Sequence, residues 1–171
     1  MKSLLRPKLI FSLVTGGLLA SALAVSLLFG SPGRSHAASH NSPEGSWLVN
    51  VTITSRHPAF KFQALFTYDA GGGLVETDQT DFTIPTGLTS PAHGTWISTG
   101  EEHFASTFVE FIFDAKGKPA GTVKIREVDT LSEGGDAYSG SGKFDVFDVN
   151  GKLILSGTDT EQARRIQVEG V

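Results

Sequence analysis

The chain of 171 residues has no cysteine. That absence excludes a disulfide-stapled scaffold and thiolate metal sites, so any core must hold by packing alone. It also excludes a lipid-attached form, which would need a cysteine after the apolar N-terminal run. Basic residues are few and badly distributed. Four of the fourteen, Lys2, Arg6, Lys8 and Arg34, fall in the first 37 residues, while all eighteen acidic residues follow position 43. Residues after 37 therefore carry ten basic groups against eighteen acidic ones, a balance of −8. A domain this acidic is a poor partner for nucleic acid or an anionic membrane. Several chemical signatures are missing as well. There is no HxH or HExxH spacing among His57, His93 and His103, so no metal site is expected. There is no GxSxG elbow; Gly140-Ser141-Gly142 reads as a flexible strand start. No phosphate-binding glycine loop precedes a helix, and no cofactor is expected.

What is present begins with an export signal. Lys2, Arg6 and Lys8 precede an uncharged run of 22 residues, 9–30, which Ser31, Pro32 and Gly33 interrupt. Ser35-His36-Ala37 then offers small residues where a signal peptidase reads. Cleavage near Ala37 and a secreted or extracytoplasmic location are expected, with an uncleaved N-terminal anchor as the alternative. The domain plan is a signal peptide over 1–37, a short linker over 38–44 and one β domain over 45–171.

Three turns share a sequence: Tyr68-Asp69-Ala70-Gly71-Gly72-Gly73, Phe113-Asp114-Ala115-Lys116-Gly117-Lys118 and Phe147-Asp148-Val149-Asn150-Gly151-Lys152. Asp caps such a turn and Gly supplies the positive φ that reverses the chain. Between the turns the pattern has period two. Trp47, Val49, Val51 and Ile53 alternate with polar positions, as do Phe60, Phe62, Ala64, Phe66 and Tyr68. Further strand-like runs cover 74–80, 94–98, 103–113, 120–131, 137–149 and 152–168, the last with a break near Asp159. The expected fold is all-β, an eight- to nine-stranded antiparallel meander barrel. The long loop 81–92 is expected either to cover a barrel mouth or to plug it.

Gly45-Ser46-Trp47, opening the first strand of an exported meander, resembles the glycine-x-tryptophan signature of the lipocalins and their calycin relatives. The chain is similar to small secreted bacterial lipocalin-like proteins. The resemblance implies a Trp47 inside the closed end of the barrel, with Arg164 or Arg165 of the last strand packed over it. It also implies a small apolar molecule as ligand. Other small antiparallel barrels, of the allene oxide cyclase and dirigent type, stay open.

The turns also predict pairing. With Asp opposite the residue after Gly, Phe66 faces Glu76 and Ala64 faces Asp78, and paired residues share a face. The second hairpin sets Phe111 opposite Gly121, Val109 opposite Val123, Thr107 opposite Ile125 and Ala105 opposite Glu127, with His103 near Asp129. With its Asp facing water this row is the inner one, as is the row of Phe66, Glu76, Ala64 and Asp78. Trp96 falls inside and His93 outside. The face of the strand over 137–149 is left open by Asn150-Gly151, which also suits a two-residue turn. The predicted ligand-binding set is Phe62, Phe66, Tyr68, Glu76, Trp96, Phe111, Ile125 and Glu127. Under an enzymatic reading, a cofactor-free cyclase or isomerase, Glu76, Asp78 and His103 would be the catalytic groups. A void free of carboxylates would point to binding, a void holding a desolvated carboxylate to catalysis, and no void to a structural or interaction domain. Oligomeric state and ligand identity are not encoded in any of these patterns.

Overall fold

A computed structural model describes residues 41–82 and 88–170. The expected signal segment, its cleavage site and residues 38–40 of the linker lie outside the described residues. The elements are β1 (Gly45–Ile53), β2 (Phe60–Tyr68), β3 (Gly73–Asp78), a 3₁₀ turn (Gln79–Phe82), β4 (Leu88–Thr89), β5 (Ala92–Ser98), β6 (His103–Phe113), β7 (Pro119–Leu131), β8 (Ala137–Asp148) and β9 (Leu153–Arg165). Every pairing is antiparallel. The order is β6-β5-β3-β2-β1-β9-β8-β7, and a β6–β7 ladder joins the two ends. This is a closed eight-stranded barrel, with short β4 added to β6. Closure removes the free edges that a nine-strand open sheet would expose. β9 runs unbroken through Asp159, without the expected interruption.

The three Asp–Gly turns are built alike. Asp69 Oδ1 accepts hydrogen bonds from Gly71 N and Gly73 N at 2.7 and 2.9 Å. Asp114 does the same for Lys116 and Lys118, and Asp148 for Asn150 and Lys152. Gly72, Gly117 and Gly151 take φ of 85°, 75° and 78°. The third turn is thus the same as the others, not a two-residue Asn-Gly turn.

The strands leaving these turns differ in register. After the first turn, pairing stays in step: Tyr68 with Leu74, Phe66 with Glu76, Ala64 with Asp78. After the second, β7 carries one extra residue. Phe113 pairs with Pro119, but Ile112 pairs with Gly121, leaving Ala120 bulged out. The third hairpin repeats this, with Phe147 opposite Leu153, Val146 opposite Leu155 and Ile154 extra. A bulge shifts the bulged strand by one residue and so exchanges the faces of its partner. The face expected for β7 is unaffected, while β6 is reversed. Phe104, Ser106, Phe108, Glu110 and Ile112 point inward. Phe111 and Val109 point outward and are 60% and 39% exposed, and His103 is exposed too. Gly121 marks the bulge: a Cβ there would overlap the carbonyl oxygen of Phe147.

The core fills one end of the barrel. Trp47, Tyr68, Phe104 and Tyr138 are buried to 3% exposure or less, with Leu131 and Ala163 beside them. Trp47 packs edge-to-face on Tyr138, its ring centroid 4.9 Å away. Tyr68 makes edge-to-face contacts with Phe104 and Tyr138. Trp47 Nε1 donates to the Pro43 carbonyl at 2.7 Å, and the Arg165 guanidinium lies 4.2 Å above the Trp47 ring. Arg165 also donates to the carbonyls of Ser42, Glu44 and Gly135, sealing this end by tying the entry of β1 to the β7–β8 turn. Of the two arginines considered from the sequence, Arg165 takes the place over Trp47 and Arg164 faces solvent.

Candidate functional site

β1 runs from Trp47 at the sealed end to Ile53 at the other, so the aromatic plug leaves the Ile53 half of the interior free. A cavity of about 490 Å³ occupies it. That volume lies within the range of small-molecule sites, about 300–1,000 Å³. Its apolar wall is Val51, Ile53, Phe60, Phe62, Ala64, Phe66, Phe108, Ile112, Val123, Ile125, Phe144, Val146 and Leu155. Thr80 of the 3₁₀ turn and Thr89 of β4, on the two described ends of the loop, also line it. Asp81 holds these ends together. It accepts from Thr77 Oγ1 at 2.5 Å and from Thr89 Oγ1 at 2.8 Å. The middle of the loop, 83–87, lies outside the described residues.

Six carboxylates line the same space: Glu76, Asp78, Glu110, Glu127, Asp159 and Glu161. No Lys, Arg or His is among the lining residues. They fall into two groups. In the first, Asp78 Oδ1 accepts from Thr80 N and Asp81 N, which explains it as the cap of the 3₁₀ turn. Glu76 is buried between Phe66 and Ala92 on the neighbouring strands. Burial raises its pKa to about 9, helped by Asp78, Glu110 and Asp81 nearby. Burial likewise lifts Glu110 to about 8.

The second group is Glu127, Asp159 and Glu161, with Asp129 two residues along β7 from Glu127. All four are less than 5% exposed. Oxygens of Glu127, Asp159 and Glu161 lie within 4.8 Å of one another, close enough to share one cation. Glu127 and Glu161 are hydrogen-bonded to each other, and Ser106 Oγ donates to Glu127 at 3.4 Å. Burial is the largest cause of the upward shift in each: Asp129 to about 8, Glu161 to about 7, Asp159 to about 6, with Glu127 raised further by Glu161. Four of their oxygens, both of Asp129, Oδ1 of Asp159 and Oε2 of Glu161, have no hydrogen-bond partner. The sole ion pair between described residues, Arg126–Asp145, is on the outer wall.

Glycines make room for this group. A Cβ on Gly140 would overlap Asp129 Oδ1, and one on Gly142 would lie 2.5 Å from Asp159 Oδ1. Gly140-Ser141-Gly142 is therefore not a flexible strand start. It is a mid-strand segment of β8 whose two inward positions are empty so that acids on β7 and β9 fit beside it.

Of the residues nominated from sequence, Phe62, Phe66, Glu76, Asp78, Ile125 and Glu127 stand together in the cavity wall. Tyr68 and Trp96 point inward but belong to the sealed end. Trp96 Nε1 donates to the Asp69 carbonyl at 2.9 Å, and its ring meets Tyr68. Phe111 and His103 do not reach the interior. The bulge at Ala120 turns both outward, and His103 bonds Thr130 on the outer face of β7. Residues not nominated are Phe108, Glu110, Phe144, Asp159 and Glu161. Period-two counting back from an inward Arg165 reaches Ala163, Glu161 and Asp159, so that pair carried a usable signal. A second concavity runs along the outer wall past Asn50, Gln63, Ser139 and Gln162, but its side chains are exposed, and Gln63 and Asn50 bond each other at 3.1 Å.

No protein-family model matches this chain, and no curated protein matches it in sequence.

Proposed function

We propose that this is an exported, lipocalin-like barrel that binds a small molecule with a substantial apolar part in the cavity above the Trp47 plug. The observation that carries this reading is the division of the interior. One half is packed by aromatics and sealed by Arg165, and the other is an aromatic-lined void of about 490 Å³. A purely structural barrel of eight strands fills its own interior.

Desolvated carboxylates in the void favour the enzymatic alternative by the criterion drawn from sequence. Their number, six in one space with no Lys, Arg or His among the lining residues, supports binding instead. Here burial is the leading cause at Glu76, Glu110, Glu127, Asp129, Asp159 and Glu161 alike, and every shift is upward.

Displacement of a neutral fluorescent probe, N-phenyl-1-naphthylamine, tests the cavity. Binding with one-to-one stoichiometry is expected, and Ala64→Phe should weaken it by filling the space between Phe66 and Phe62. Native mass spectrometry of protein taken from its own cells should show a retained small molecule. Absence of probe binding, with Ala64→Phe indistinguishable from the parent, would refute the reading.

A further inference from the structure

The geometry points to an organic cation as the ligand: an alkylamine or polyamine whose ammonium group sits between Glu127, Asp159 and Glu161 and whose apolar body lies along Phe66, Phe108 and Phe144. This rests on the binding function proposed above and narrows the ligand class.

Three observations converge. The carboxylate oxygens lie within 4.8 Å of one another. An ammonium nitrogen accepts that spacing, because it offers three donors at about 2.8 Å each. Second, Asp159 Oδ1 and Glu161 Oε2 are buried with no donor in reach. A buried acceptor without a partner is costly, and a neutral apolar ligand would bury these further while supplying nothing. Third, Glu127, Asp159 and Glu161 share the cavity wall with phenylalanine side chains. The faces of such rings attract cations.

The distribution of charge separates this from a bare metal site. Calcium needs six to eight oxygen ligands around one point. In this barrel Glu76, Asp78 and Glu110 extend the acidic lining beyond those three side chains, and aromatic carbon shares the wall. Charge spread along an apolar cavity fits an extended cation. The inward Gly140 and Gly142 show that β8 is built around these acids.

Isothermal titration of the full chain at pH 7.5 with octylamine, octanol and calcium chloride tests the assignment. Octylamine should bind at least about 30-fold more tightly than octanol, the scale expected for one buried charge pair. Glu161→Gln should remove most of that difference and leave octanol binding unchanged. Glu127→Gln serves as a second variant, and thermal melts show that each is folded. Equal affinity for octylamine and octanol would overturn the cation while leaving the cavity reading intact. Stoichiometric calcium binding that Glu161→Gln abolishes and that blocks octylamine would replace it with a metal site. Failure of both octylamine and octanol to bind would overturn the inference together with the binding function beneath it.

Discussion

Without a bound cation, the barrel should lose stability as pH rises from 5 to 8. A carboxyl whose folded pKa is raised keeps a proton that the unfolded chain has already released. Its contribution is complete below the unfolded value, near pH 4, and is lost as pH climbs toward the folded one. Glu76 is lifted to about 9, and Glu110 and Asp129 to about 8, in each case first by burial. Each group gives a slope of about 1.4 kcal/mol per pH unit while it is protonated only in the native state. Three together approach about 4 kcal/mol per unit, and two units would consume most of an ordinary domain's roughly 5–15 kcal/mol. Even one group's share lowers Tm by about 5 °C per unit for a domain of this size. Thermal melts monitored by circular dichroism at pH 5, 6, 7 and 8, at constant ionic strength, read this directly. Tm should fall at each step, and Glu76→Gln should flatten the profile and raise Tm at pH 8. A Tm that is level or rising across this range would refute the reasoning. It would mean that the acids are ionised and solvated in the native state.

Trp47→Ala should cost about 3–5 kcal/mol, the usual loss for a large buried aromatic, measured as a drop in urea midpoint. Gly142→Ala should destabilise by forcing Cβ onto Asp159. Asp159→Ala in the same chain should recover most of the loss, and a double-mutant cycle by denaturant melts gives the coupling. Phe108→Ala should cost about 3–5 kcal/mol and abolish probe binding. Phe111→Ser, on the outer face of the same strand, should change stability by less than about 0.5 kcal/mol. The opposite ranking of these two variants would mean that β6 faces the other way.

The closed meander was legible because its determinants are local. An Asp, a Gly at positive φ and period-two alternation settle turns and strand limits within a few residues. The first hairpin was legible down to individual pairs, which is why Glu76 and Asp78 were placed on the inner face. The second was not, because a bulge is decided by how the strands coil around the barrel, and the local turn is the same with or without it. Gly121 held a partial signal, since glycine inside a strand often marks a bulge or close approach. Ile154, the extra residue of the third hairpin, held none. The meeting of Glu127 with Asp159 and Glu161, as distinct from their inward parity, was hidden for another reason. These acids come from β7 and β9, which pack around β8 and are not paired by a single turn. Glu127 and Glu161 meet only across the empty inward positions of β8, which two successive hairpins, one of them bulged at Ile154, must bring into register.

The bulge at Ala120 leaves β6 with two serviceable sides. Its outward row of Ala105, Thr107, Val109 and Phe111 is at least as apolar as the inward row of Phe104, Ser106, Phe108, Glu110 and Ile112. Composition alone does not choose between them, so β6 is a point of frustration where two barrels compete with nearly equal local credentials. The extra residue is the arbiter. Removing Ala120 would set the two rows in conflict: β7, held by β8, would call Phe111 and Val109 inward, while β5, paired with β6 from His93–Val109 to Ser98–Phe104, would hold them outside. In this architecture a one-residue deletion is a larger chemical change than most substitutions, and divergence among such barrels can proceed by inserting and deleting bulges.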